Sequence, residues 1–94
     1  MPYGIVRLAV GDFDRWWGLF NEPSTLQEFY GSQGVRVFRS IDKPNQLVVL
    51  AEYQDLQGAR QLLQSSEFQE ATQGSGVSGS PHVMFAEEVH LPPA

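Results

Sequence analysis

The sequence predicts an α+β fold: a four-stranded antiparallel sheet in the order 4-1-3-2, with two helices packed on one face. Three observations lead there. Runs rich in β-formers alternate with helix-like runs in the order β-α-β-β-α-β. Phe13, Trp16, Trp17 and Phe20 recur at the spacing of one helical face. The segment Asp42-Lys43-Pro44-Asn45 has the turn chemistry that joins two strands into a hairpin. Together they describe two split βαβ units, the ferredoxin-like arrangement, with right-handed crossovers setting the strand order.

Tyr3 to Val10 reads as the first strand and ends at Gly11. Asp12 is placed to cap the following helix, and Asp14 lies in its first turn, where the helix dipole favours negative charge. Arg15 points away from the aromatic stripe. Pro23 interrupts the helix, because it lacks an N–H and clashes with the preceding turn. Ser24 caps a second helical piece with Leu26, Phe29 and Tyr30 on its apolar face, closed by Gly31 and Gly34. Val35 to Ile41 and Leu47 to Tyr53 read as the hairpin strands. A register that sets Ile41 against Leu47 puts Arg36 opposite Glu52 as a cross-strand charge pair. Asp55 caps the next helix, with Leu56, Ala59, Leu62 and Leu63 inward and Gln57, Gln61 and Gln64 outward. A short extension, Ser66 to Gln73, carries Phe68 and Ala71. Gly74 to Ser80 reads as a Gly/Ser loop, Pro81 introduces the last strand, His82 to Val89, and residues 91–94 form a frayed tail. Residues 1–94 are expected to form one domain.

A sheet with helices on one side should alternate apolar and polar residues. These strands are apolar on both faces. Val6, Leu8 and Val10 alternate with Ile5 and Ala9; Val83 and Phe85 alternate with Met84 and Ala86; Leu47 to Ala51 are apolar throughout. The face without helices would be a larger apolar patch than monomers tolerate, so a homodimer through the sheet face is expected, packed about a two-fold axis.

The chain has 94 residues, six Lys+Arg against eleven Asp+Glu, and a net charge of −5. That balance opposes nucleic-acid binding, which rests on basic groups neutralising phosphates. With no cysteine, a disulfide framework, a thiolate metal site and a thiol nucleophile are excluded. No apolar run reaches the roughly 18 residues of a membrane span, and no charged-then-apolar leader opens the sequence. The expectation is a cytoplasmic protein with no membrane or nucleic-acid partner and with a small molecule as ligand.

Val10-Gly11-Asp12-Phe13-Asp14-Arg15-Trp16, Gly34-Val35-Arg36-Val37-Phe38-Arg39 and Asp42-Lys43-Pro44-Asn45-Gln46 are followed by Glu52-Tyr53-Gln54-Asp55 and by Gly79-Ser80-Pro81-His82-Val83-Met84-Phe85 running into Glu87-Glu88. In these segments the chain resembles the dimeric α/β-barrel superfamily, close to small proteins like the antibiotic biosynthesis monooxygenases (ABM-like). The resemblance spans nearly the whole chain. It implies a ferredoxin-like fold, dimerisation and a cavity lined by aromatic rings. Among its relatives are cofactor-independent monooxygenases, haem-degrading enzymes, polyketide cyclases and lactone isomerases. No asparagine–tryptophan–histidine arrangement of the haem-degrading branch stands at matching positions.

His82 and His90 lie eight residues apart on one strand, roughly 26 Å at about 3.3 Å per residue. They cannot share a metal within one subunit, and no set with ligand spacing is present. His82 is the candidate base, expected at the strand start and looking toward Trp16 or Trp17. Arg39 alternates with Val37 and Ile41 on an otherwise apolar face, where it either pairs across the dimer or meets an anionic ligand; Arg7, in phase with Ile5 and Ala9, has the same two readings. His82 and Arg39 are therefore the catalytic candidates. Trp16, Trp17, Phe20 and Tyr53 are the substrate-binding candidates; at helical spacing the rings also serve as core, while a phenol tip can hold a carbonyl or phenolate. Neither a nucleophile elbow nor a phosphate loop is present. The resemblance implies a cofactor-independent monooxygenase-like enzyme acting on a planar aromatic or polyketide-like molecule, with these residues as its candidate site. The alternative is a non-catalytic ligand-binding or structural homodimer.

Overall fold

The computed structural model describes residues 2–21, 30 and 34–92. Its elements are β1 (Pro2–Val10), α1 (Phe13–Asn21), β2 (Gly34–Arg39), β3 (Gln46–Glu52), α2 (Leu56–Leu63), α3 (Ser66–Gly74) and β4 (Val77–Glu87). All strand pairs are antiparallel and the sheet order is β2-β3-β1-β4, the expected order read from the other edge. The helical piece expected after Ser24, with Leu26 and Phe29, and the end of the tail at 93–94 lie outside the described residues. No helix among those described is long and apolar enough to cross a membrane.

The caps form where the side chains predict them. Asp12 Oδ1 accepts from the backbone N–H of Asp14 at 3.0 Å and of Arg15 at 3.3 Å. Asp55 Oδ1 accepts from Gly58 N–H at 2.6 Å, and Ser65 Oγ from Phe68 N–H at 3.1 Å. Each satisfies an N–H that the first helical turn leaves unpaired. Within α2, Ala59 and Leu63 are buried and Leu62 is partly buried, but Leu56 at the helix start is exposed rather than inward.

Two expectations about register are corrected. In the hairpin, Arg39 and not Ile41 stands opposite Leu47, so Arg36 faces Leu50, and Glu52 faces Gly34. The reason is local. Ser40 N–H donates to Gln46 C=O at 2.9 Å and Ser40 Oγ accepts from Lys43 N–H at 3.0 Å, which ends the ladder before Ile41 and leaves that side chain 95% exposed. The last strand also starts earlier than expected. Residues 77–80, read as loop, belong to β4, and the strand ends at Glu87 instead of Val89. Between Arg7↔His82 and Ala9↔Ser78 the pairing register shifts, and Gly79 within this stretch has φ +70°. This is a bulge, and its left-handed residue is a glycine because a Cβ would be strained there.

Even-numbered β1 residues face the helices. Val6, Leu8 and Val10 join Leu47, Val49, Ala51 and Tyr53 under Trp16, Phe20, Tyr30, Ala59, Leu63 and Phe68 in one buried cluster. Gly4 occupies the tightest point of this contact. A Cβ there would stand 2.6 Å from Leu63 Cδ1 and 3.0 Å from the Tyr53 ring. Gly4→Ala is therefore expected to destabilise the protein by about 1–3 kcal/mol through overpacking, read as a lower urea midpoint at constant slope.

The opposite sheet face carries no helix. Its side chains form rows across the strands: Arg36–Leu50–Ile5–Met84, and next to it Phe38–Val48–Arg7–His82. Met84 is 56% and Phe38 50% exposed. The two-faced apolar pattern of the sequence is thus present in three dimensions, with one face filled and the other open.

Candidate functional site

The aromatic residues of α1 form a continuous path between the helices and the sheet. Phe13 stacks on Trp17 with ring centroids 6.2 Å apart, and Trp16 stacks on Phe20 at 4.9 Å. Phe20 meets Tyr30 edge-on at 5.6 Å, and Tyr30 meets Phe68 edge-on at 5.4 Å. Trp16 and Phe20 are buried, while Trp17 lies on the flank of the stripe and stays 38% exposed. The stripe is therefore core along most of its length, with one ring pair, Phe13 and Trp17, at its rim.

At the inner end stand two phenols. Tyr30 and Tyr53 are both buried. Burial raises the ionisation of Tyr30 well above its ordinary value, helped by the neighbouring Tyr53, and burial raises Tyr53 likewise. Both side chains thus remain neutral O–H donors. Because the folded pKa values lie above the ordinary phenol value of 10.0, this contribution to stability is flat below that pH and lost as pH rises beyond it. The Tyr53 hydroxyl is buried and has no hydrogen-bond partner among the described residues. Leaving such a group unpaired costs about 1–3 kcal/mol, and unsatisfied groups of this kind call for an explanation. Thr72 Oγ1, also buried, is unpaired as well.

Arg39 sits on the helix side of the sheet, in phase with Val37, and not on the open face where it could pair across a dimer. Its guanidinium lies 3.9 Å over the Phe13 ring, and its Nε–H donates to Pro44 C=O at 2.8 Å. It therefore flanks the outer end of the aromatic path. Trp16, Trp17, Phe20, Tyr53 and Arg39 are all on this side.

His82 is not. It pairs with Arg7 in the middle of β4 and shares the open face with Met84, so the sheet separates it from Trp16. The expectation that His82 looks toward Trp16 or Trp17 is corrected by this alternation. The signal is present in the sequence, since His82 shares the parity of Met84 and Ala86 and not that of Val83 and Phe85. Tyr30 belongs with Tyr53 at the inner end. His90 lies beyond β4 with its Nδ1 3.2 Å from Glu88 Oε2, both side chains in solvent. Arg60 is exposed and stands 4.7 Å over the Phe85 ring.

No sequence-family model matches the chain, and no curated protein matches it. Solved structures do. A protein from Bordetella bronchiseptica assigned to the antibiotic biosynthesis monooxygenases superposes with a TM-score of 0.70 at 21% identity, covering 95% of this chain and 97% of that one. SnoaB, a cofactor-independent oxygenase from Streptomyces nogalater, crystallised as a point variant, gives 0.71 at 17% identity over 99% and 97%. A Deinococcus radiodurans protein with the same assignment as the first gives 0.63 at 12% identity over 100% and 98%. At 12–21% identity, what this chain shares with them end to end is architecture: it has the ferredoxin-like fold of the antibiotic biosynthesis monooxygenases.

Proposed function

We propose that the protein is a cytoplasmic homodimeric enzyme of the cofactor-independent monooxygenase type, with one domain over residues 1–94, acting on a planar phenolic or polyketide-like molecule that enters at the Phe13–Trp17 rim and parts α1 from the sheet, because Trp16 and Phe20 close that layer in the structure. The observation that carries this reading is the Tyr53 hydroxyl, buried and unpaired at the inner end of an aromatic layer. A carbonyl or phenolate oxygen of the ligand would supply the missing acceptor. Tyr53 acts there as a donor and not as a base, because burial keeps it protonated. Trp17 at the rim offers an accessible flat surface, while Trp16 and Phe20 behind it exclude water; Arg39 at the rim favours an anionic substrate. The likeness to SnoaB supports the reaction type.

The chemistry needs no electron carrier. A benzylic methylene acidified by a neighbouring carbonyl loses a proton to water, and the resulting anion stabilised by Tyr53 is oxidised by dioxygen to a hydroperoxide. Loss of water from the hydroperoxide leaves a carbonyl, so one oxygen atom enters the product and the other leaves as water.

The test is oxygen uptake on planar phenolic polycycles bearing such a methylene, without added metal or flavin, for the natural protein and Tyr53→Phe. Removing one preorganised donor should lower turnover about 100-fold, while stability holds or rises by about 1 kcal/mol as the unpaired hydroxyl disappears. Full turnover by Tyr53→Phe would sink the assignment. The placement of His82 behind the sheet favours a second reading, a non-catalytic ligand carrier, which predicts saturable binding of the same compounds with no oxygen consumed.

A further inference from the structure

A groove of about 450 Å³ lies on the helix side of the sheet, away from the open face on which the homodimer contact is proposed. Strand parity fixes its floor. Pro2 faces the helices with the other even-numbered residues of β1, and its direct partner Glu87 shares that face. Phe85, two residues before Glu87, lies there too and packs against the core. Its own partner is Gly4, which offers no side chain. Leu56 and Arg60 are one turn apart on the same flank of α2 and overhang this floor. Leu56 is exposed despite opening the apolar pattern of α2, because it walls the groove and does not enter the core.

Two opposite charges stand in this groove without pairing. Arg60 lays its guanidinium 4.7 Å over the Phe85 ring. Glu87 is two residues farther along β4, about 6.6 Å at the backbone. No ion pair joins it to Arg60, and neither side chain has another ion-pair partner among the described residues. The arrangement is selective. A lone cation finds the ring face already covered by Arg60, and a lone anion meets the Glu87 carboxylate. A molecule that carries both charges close together satisfies both groups.

We propose that this groove binds a zwitterionic amino acid with an aliphatic side chain. The free edge of the Arg60 guanidinium takes its carboxylate in a two-pronged contact, and Glu87 takes its ammonium. Leu56 and Pro2 receive the side chain, which removes apolar surface from water. The occupant follows from charge complementarity: its ammonium and carboxylate sit on one carbon and bridge a gap that direct pairing leaves open. The proposal rests neither on the oxygen chemistry assigned to Tyr53 nor on the homodimer.

L-Leucine is the probe, titrated into the protein at neutral pH and followed by NMR shifts. Saturable binding that perturbs Leu56, Arg60 and Phe85 is expected. N-acetyl-L-leucine keeps only the carboxylate and L-leucinamide only the ammonium; each should bind at least tenfold more weakly. Arg60→Gln should weaken leucine at least tenfold and bring it level with leucinamide. Glu87→Gln should weaken it similarly and bring it level with N-acetyl-leucine. Both positions are exposed, so far-ultraviolet dichroism should show both variants folded. Absence of saturable shifts, equal affinity for leucine and its two capped analogues, or leucine binding unaffected by either substitution would overturn the proposal.

Discussion

Trp16→Ala should lower stability by about 3–5 kcal/mol, the range for emptying a large aromatic from a packed core. Trp16 is fully buried and touches three other rings, Phe13, Trp17 and Phe20. No neighbour can swing in to fill so large a volume, because the sheet residues beneath are short and fixed by the ladder. Domains of this size hold about 5–15 kcal/mol in total, and 1 kcal/mol shifts the midpoint by about 4–8 °C. A fall of about 15–30 °C in a thermal melt followed by near-ultraviolet dichroism is the expected result. Trp17→Ala provides the contrast. Its ring stands partly in solvent, so its loss should cost less than about 1.5 kcal/mol. Equal effects at the two positions would contradict the burial pattern of α1.

The second large effect concerns association. Met84 is the most exposed member of the apolar row Leu50–Ile5–Met84. In the proposed face-to-face homodimer, Met84→Glu would place an unpaired carboxylate in the contact of each copy. Burying an uncompensated charge costs about 3–5 kcal/mol and the dimer buries two, so the dissociation constant should rise by at least roughly 10⁴-fold. Sedimentation velocity across a concentration series reads this as a shift to a 10.5 kDa species. Far-ultraviolet dichroism should stay unchanged, because position 84 is on the outer face of an edge strand. A natural protein that is already monomeric at tens of micromolar would remove the dimer from the proposal.

Much of the fold could be read before any coordinates because local rules and global topology agree. Asp12 and Asp55 signal their helices by capping chemistry, and the alternation of Val6, Leu8 and Val10 with Ile5 and Ala9 assigns both faces of β1 correctly. Failures fall where one residue decides a register. Ile41 is as strong a strand former as any in the chain, yet the Ser40 side chain closes the turn first. Nothing in Gly79 distinguishes a left-handed bulge residue from a loop glycine, so the start of β4 is not legible in the sequence. His82 differs for another reason: nearness along the sheet points it toward α1, but parity decides which side of a sheet a side chain can reach. The unpaired state of the Tyr53 hydroxyl is not a property of sequence at all, since it depends on what the packed neighbours fail to offer.

The bulge has a consequence for how copies can meet. β2 and β4 are the sheet edges, and an exposed edge invites another strand, which leads to open-ended ribbons. Here the β4 edge is broken by the register shift at Gly79 and by Pro81, which has no N–H to offer. The β2 edge is only six residues long and carries Arg36 and Arg39. Lateral growth is therefore blocked on both sides. The same residues steer association away from edge-to-edge polymer and leave the open sheet face, the contact of the proposed homodimer, as the surface on which a second copy can pack.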